Sequence, residues 1–153
     1  MARGSKRLSQ YVEEKGIEAE VVTLDSSTRT SQMAADSLGC EVAQIAKSIV
    51  FTGDGPVVVV ISGDKRVDPR KLSEHLGWKA KIADADAVRN RTGYVIGGVP
   101  PFAHEQGVVV LLDSSLARFD DIWAAAGTPH SVMRLRVSDL AEIVGCGFAD
   151  LAK

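Results

Sequence analysis

Two apolar runs, Ser48-Ile49-Val50-Phe51-Thr52 and Pro56-Val57-Val58-Val59-Val60-Ile61-Ser62, flank Gly53-Asp54-Gly55. β-Branched residues fit a pleated, buried surface. Glycine and aspartate tolerate the positive φ angles of tight hairpins. The segment therefore reads as a β-hairpin. Its runs are almost continuously apolar rather than alternating, which places the hairpin centrally, with both faces covered.

Upstream of the hairpin, Glu41 to Ala46 reads as a short helical turn. Thr30 or Ser31 can cap a helix through Leu38, with Met33, Ala34 and Leu38 inward and Gly39 as its stop. Asp25 to Thr30 is a polar loop. Ile17 to Leu24 alternates as a strand, and Ser5 to Lys15 is a helix with Leu8, Tyr11 and Val12 on one face. Downstream, Asp68-Pro69 opens a helix to His75, closed by Gly77. A short strand, Lys79 to Ile82, and a helix from Asp84 to about Asn90 follow. Three glycines and two prolines between Thr92 and Phe102 exclude regular structure over the second half of that stretch. Gly107 to Leu112 is a strand, and Ala117 to Ala126 is expected to be helical. Ser131 to Arg136 is a strand. Ser138 or Asp139 is expected to cap the last helix. Helices and strands intermix, so the expectation is one α/β domain (mixed α+β) over residues 1–153.

The 153 residues are 45% hydrophobic and 25% charged, which excludes a disordered chain. No apolar region follows the basic start, and Val57 to Ile61 and Val108 to Leu112 are far too short to span a bilayer. The expectation is a cytoplasmic protein with no membrane partner. Cys40 and Cys146 match no zinc spacing and read as packed, reduced thiols. A net charge of -2 excludes a generally basic nucleic-acid binder, and no DNA partner is expected. Between Asp64 and Arg91, however, eight basic residues face five acidic ones. That edge is either a set of solvated helix faces or a phosphate-contacting surface.

Two features could carry chemistry. Lys47 adjoins the apolar strand, where partial dehydration would make its ammonium a cation, donor or nucleophile. The plain alternative is a strand-start lysine whose head reaches water. Gly97-Gly98-Val99-Pro100-Pro101 could present backbone N–H groups to a carbonyl or phosphate oxygen, or be a tight turn with no ligand. Asp113, His104, His130, Ser131 and Asp139 are the other polar candidates. Of these, Asp139 reads first as a helix cap and the histidines as solvated loop residues. No Walker loop, dinucleotide fingerprint, serine-hydrolase elbow or metal-ligand cluster is present.

Ala34-Ala35-Asp36-Ser37-Leu38-Gly39, Gln44-Ile45-Ala46-Lys47-Ser48-Ile49-Val50-Phe51 and Thr92 to Phe102 together resemble the YbaK/EbsC/ProX family, from about Ile17 to Val144. The resemblance implies a curved mixed sheet like the insertion domain of bacterial prolyl-tRNA synthetases. It also implies a trans-editing hydrolase that cleaves the ester between a wrong amino acid and the 3′-terminal ribose of tRNA. Lys47, Gly97, Gly98 and Pro101 then stand at the reacting ester. Ser48, Val99, Pro100, Asp113, His130 and Ser131 stand around the substrate. No cofactor or metal is implied. The partners are the acceptor end of aminoacyl-tRNA and an aminoacyl-tRNA synthetase.

An aminoacyl ester is already activated, so positioning and carbonyl polarisation suffice without a Ser-His-Asp triad. Lys47 either stabilises the oxyanion or clamps the terminal phosphate, and the nucleophile is water or a substrate thiol. The Gly98-Val99-Pro100-Pro101 form, with Phe102 and His104, differs from the Ile-Ser-Pro form of Cys-tRNA deacylases. Ala, Ser, Thr and 2-aminobutyrate therefore stand beside Cys as candidates. The competing readings are a non-catalytic tRNA- or synthetase-binding module and a hydrolase of some other small acyl ester.

Overall fold

The computed structural model describes residues 3–24 and 30–153. The elements run in the order α1 (Arg3–Lys15), β1 (Glu20–Thr23), α2 (Ser31–Leu38), a 3-10 turn (Val42–Gln44), β2 (Ile45–Thr52), β3 (Val57–Ser62), α3 (Pro69–Leu76), β4 (Lys81–Ile82) and α4 (Ala85–Thr92). There follow β5 (Val109–Asp113), a second 3-10 turn (Ser114–Arg118), β6 (Asp121–Ala125), β7 (Ser131–Arg136), α5 (Val137–Val144) and β8 (Phe148–Ala149). The strand order is β1-β7-β6-β2-β3-β5-β8, and β4 pairs with β2. The β2–β6, β3–β5 and β5–β8 pairs are parallel, and the rest are antiparallel. The mixed α/β class expected from the sequence is observed.

The β2–β3 hairpin is central, as its composition demands. Val57 to Ile61 are wholly inaccessible. Val58 and Val60 pack with Tyr94, Leu112 and Met133 on one face of the sheet. Val57 and Val59 pack with Phe51, Leu72 and Leu151 on the other. Two apolar layers thus enclose one strand, which is why its sequence does not alternate. Caps fall where the side chains dictate. Thr30 Oγ accepts from Met33 N, Asp68 from Arg70 N and Asp84 from Ala87 N, each satisfying an orphan donor of a first helical turn.

Four expectations need correction. The stretch expected to be helical from Ala117 to Ala126 is a 3-10 turn followed by β6. Alanine favours helices, but Ile122 and Ala124 are buried while Asp121, Trp123 and Ala125 are only half-buried, a two-residue period. Pairing to β2 on one side and β7 on the other overrides local propensity. The turn before β2 is shorter than expected, since Ile45 and Ala46 are already strand. Lys47 is therefore third in β2 rather than at its start. Neither Ser138 nor Asp139 caps α5, which begins at Val137 after Arg136 without a side-chain cap. The first strand begins only at Glu20, and β8 was not foreseen. Residues Asp25 to Arg29 of the expected polar loop lie outside the described residues.

The chain end is pinned from within. Asp113 is buried, and its carboxylate accepts from Ser115 N (2.9 Å) and Leu151 N (2.8 Å). Asp113→Ala leaves two interior amides without acceptors and is expected to cost about 3 kcal/mol in urea denaturation.

Candidate active site

β2 has β3 along one edge from Ala46 to Phe51. Its other edge has two short partners. β6 pairs only at Ile45 and Ala46, and β4 only at Phe51 and Thr52. Peptide groups along an antiparallel strand alternate in direction. Ile45 O accepts from Gly63 N (2.7 Å), so Ile45, Lys47 and Ile49 direct their peptides toward β3. Val50 O accepts from Ala83 N (2.9 Å), so Ala46, Ser48 and Val50 direct theirs to the opposite edge. Ser48 lies between the two partners, and among the described residues no strand runs beside it. The Ser48 hydroxyl is also buried and has no hydrogen-bond partner among the described residues.

A cleft of about 500 Å³ opens at this interval. It reaches both faces of the sheet. Ala46, Ser48, Val99 and Ala124 line it from one face, and Ala34, Ile45, Lys47 and Trp123 from the other. Thr30 and Ser31, at the start of α2, close one side. A Cβ on Gly63 would lie 2.7 Å from Ser31 Cβ, so only glycine lets the end of β3 approach the start of α2. Among the described residues no carboxylate, imidazole or thiol lines the cleft.

Lys47 is half-buried, and its Nζ lies 3.4 Å from Gly63 O. Burial lowers its pKa, neighbouring Arg66 lowers it further, and Asp64 partly opposes both. Asp64 is itself held by Arg118 at 2.8 Å, so it gives Lys47 no direct partner. The cation thus keeps capacity for an anionic or carbonyl oxygen.

The glycine–proline loop divides into a front and a back. Gly97 and Val99 line the cleft. Gly98 N already donates to Val95 O (2.9 Å), and prolines have no N–H. Only the Gly97 and Val99 amides can serve a ligand, fewer than the sequence alone suggests. Gly98, Pro100 and Pro101 are buried behind them. A Cβ on Gly98 would lie 2.9 Å from Thr128 Cα, so this glycine serves close packing rather than a ligand. Thr128 is fixed in turn by Ser131, whose Oγ lies 2.8 Å from Thr128 Oγ1. Tyr94 Oη donates to Ala103 O (2.6 Å), and His104 Nε2 meets Pro100 O at 2.6 Å.

Of the residues singled out in the sequence, Lys47, Ser48, Gly97 and Val99 converge on the cleft. Pro100 and Pro101 shape its wall from behind. Ser131 braces the loop, one residue before the lining Val132. His130 is exposed at that turn and binds Leu24 N through its carbonyl. Asp113 is committed to the chain end, and Asp139 lines a separate groove with Arg136 and Glu18. Trp123, Ala124, Ile45, Gly63 and the start of α2 are lining residues the sequence reading missed. Reading 121–125 with a two-residue period would have put Trp123 beside Ile45. Cys40 and Cys146 are free and half-buried, away from the cleft.

A mixed sheet interrupted beside a half-buried cation, an unpaired hydroxyl and a rigid glycine–proline loop forms the cleft. Residues 25–143 match the aminoacyl-tRNA editing domain, and the chain belongs to that family. It is similar to the multifunctional Ser/Thr-tRNA deacylase ProXp-y of Escherichia coli (strain K12), with 29% identity over 153 aligned positions covering 94% of this chain and 91% of the relative. It is 35% identical to the uncharacterised YwhH of Bacillus subtilis (strain 168) over 127 residues, 82% of this chain and 81% of that one. A solved structure described as a candidate trans-editing enzyme for prolyl tRNA synthetase superposes with a TM-score of 0.92 at 36% identity, covering 100% of this chain and 99% of that one. The family resemblance and fold expected from the sequence therefore hold. Among the described residues no helix is long and apolar enough to cross a membrane.

The loop's latch has a pH signature. Burial pushes the His104 imidazole from 6.5 down to about 4, partly offset by its bond to Pro100 O, with Arg7 lowering it further. A folded pKa below the unfolded one contributes stability above pH 6.5 that is lost as the pH falls toward 4. His104→Gln keeps a donor but cannot titrate. The stability of the wild type relative to this variant should be constant above neutrality and fall by roughly 2 kcal/mol at pH 5, read from denaturant midpoints.

Proposed function

We propose that this aminoacyl-tRNA deacylase acts in trans on a small, hydroxyl-bearing amino acid, serine or threonine, wrongly esterified to tRNA(Pro) or a related tRNA. The observation that carries the proposal is the pairing of Lys47 with the unpartnered Ser48 at the break in the sheet. The ester carbonyl enters the interval, where the Ser48 peptide N–H and the Lys47 ammonium face developing negative charge. Water attacks the carbonyl carbon, the acyl–oxygen bond breaks, and the 3′-terminal ribose leaves as an alcohol carrying the proton. The leaving group is a ribose hydroxyl rather than an amine, so the barrier is modest. Positioning then accounts for much of the acceleration.

The amino-acid side chain sits among Ala34, Ile45, Val99 and Trp123, which limit its size. The Ser48 hydroxyl lines the same cleft as Thr30, Ser31 and Gln32, and it is the one that is buried without a hydrogen-bond partner among the described residues. A buried polar group left unpaired penalises a ligand that lacks the matching group, so the pocket discriminates against alanine more strongly than volume alone would. The Ser/Thr activity in the name of the Escherichia coli relative supports this preference. The likeness to a candidate trans-editing enzyme for prolyl tRNA synthetase supports the tRNA and suits a synthetase as partner.

The test is release of amino acid from Ser-, Thr-, Ala- and Cys-charged tRNA(Pro) and from the cognate tRNAs. Lys47→Ala is expected to lower kcat/KM by about 10²–10³. A loss in kcat assigns the lysine to the carbonyl, and a loss in KM alone assigns it to phosphate. Ser48→Ala should lower Ser-tRNA deacylation by roughly tenfold, in line with a lost hydrogen bond, while changing Ala-tRNA far less. If no charged tRNA in the panel is hydrolysed faster than in buffer, while tRNA binding survives Lys47→Ala, the protein is a binding module instead.

A further inference from the structure

A second cavity of about 490 Å³ shares Lys47 and Ile49 with the cleft. It lies beyond them, on the α3 face of the sheet. Its floor is apolar, with Ile49 and Phe51 projecting from β2. Ile82 of β4 stands beside Phe51 in register, yet 72% of it is exposed. An isoleucine in a two-residue strand, packed on one side and open on the other, is an apolar surface awaiting contact.

The rim is cationic. Lys47, Arg66 and Lys81 line the groove, and among the described residues no carboxylate does. Arg66 and Lys81 enter none of the described ion pairs, whereas Lys71, from the same basic stretch, is held by Asp150 and Arg118 by Asp64. Most of the basic stretch enters no described ion pair, and Arg66 and Lys81 are exposed, but of that stretch only these two basic residues border the groove. Two of its charges are left free at one apolar groove. Its volume is within the roughly 300–1,000 Å³ of small-ligand sites.

Single-stranded nucleic acid is held by stacking bases on aromatic side chains or guanidinium planes and setting phosphates on cations; here the Arg66 guanidinium is the accessible planar group, beside the aliphatic Ile49 and Ile82. We infer that this groove is the seat of the terminal nucleotide of the tRNA, with its base against Ile82 and Ile49 and its phosphate on the Arg66–Lys81 rim. This rests on the editing function proposed above. It follows because the groove and the acyl cleft meet at Lys47, as a nucleotide and the amino acid esterified to it must.

The test uses the full chain and an uncharged CpCpA trinucleotide, which has no ester to hydrolyse. In heteronuclear NMR the trinucleotide is expected to shift the amides of Val67 and of Ala80 to Ala83. The double variant Arg66→Gln, Lys81→Gln should weaken trinucleotide binding at least tenfold and flatten its salt dependence by about 0.7 per lost phosphate contact. Ile82→Ser should weaken binding while keeping the salt slope. For mischarged tRNA the double variant's loss should fall in KM rather than kcat. Shifts confined to the cleft around Ser31 and Trp123, or an unchanged affinity in the double variant, would overturn the assignment. Because the probe carries no amino acid, a trinucleotide that maps to the groove of a protein unable to deacylate any tRNA would reject the editing reaction and leave the groove standing.

Discussion

The structure turns on a change of partners along one strand. β2 keeps β3 along one edge but passes from β6 to β4 on the other, and at Ser48 it has neither. An unpaired peptide inside a sheet is costly unless water or a ligand satisfies it. The fold tolerates the break because it opens into a cleft rather than into the core. The same break lets side chains from both faces of the sheet border one space, which an intact sheet forbids. Lys47 belongs to the face covered by α2 and α3, and Ser48 to the face covered by the glycine–proline loop. Adjacent residues on a strand point to opposite sides. Only an opening in the sheet lets both border one cleft.

A site that depends on one missing strand contact needs rigid surroundings. The glycine–proline loop is held against Thr128 by the absence of a side chain at Gly98, and by the Tyr94 and His104 bonds to its own backbone. Ala103 sits at φ 66°, a left-handed conformation unfavourable for alanine, which the Tyr94 bond to its carbonyl helps to hold. His104 is kept neutral by burial and donates to Pro100 O, so its place is in the latch and not at the ester. Many contacts thus lie one layer behind the groups that face the ligand. This is how a site of few functional groups keeps its geometry.

Much of this was legible in the chain. The Val-rich run of β3 announced a strand buried on both faces, and Asp68-Pro69 and Asp84 announced their helices. The resemblance over Lys47 and the Gly97 to Pro101 loop indicated which residues would converge. The partner switch of β2 was not legible, because nothing in Ser48 itself says which strand lies beside it. The alanines of Ala124-Ala125-Ala126 imitated a helix, which concealed Trp123 as a wall of the cleft. The resemblance set Asp113 among the residues around the substrate. In the fold it binds Leu151 N, from residues too distant in sequence for any local pattern to connect.

The described residues that line the cleft offer one lysine, the hydroxyls of Thr30, Ser31 and Ser48, the Gln32 amide and peptide groups. An amide has a poor leaving group. An ester to a ribose hydroxyl demands less, and its carbonyl is already electrophilic. In the function proposed above, Lys47 and the Ser48 peptide face the charge that develops on oxygen. In that proposal selectivity is left to the pocket walls and to the hydroxyls that line them. Small changes at Ser48, Val99 or Trp123 can therefore retune which amino acid is removed while leaving the chemistry intact.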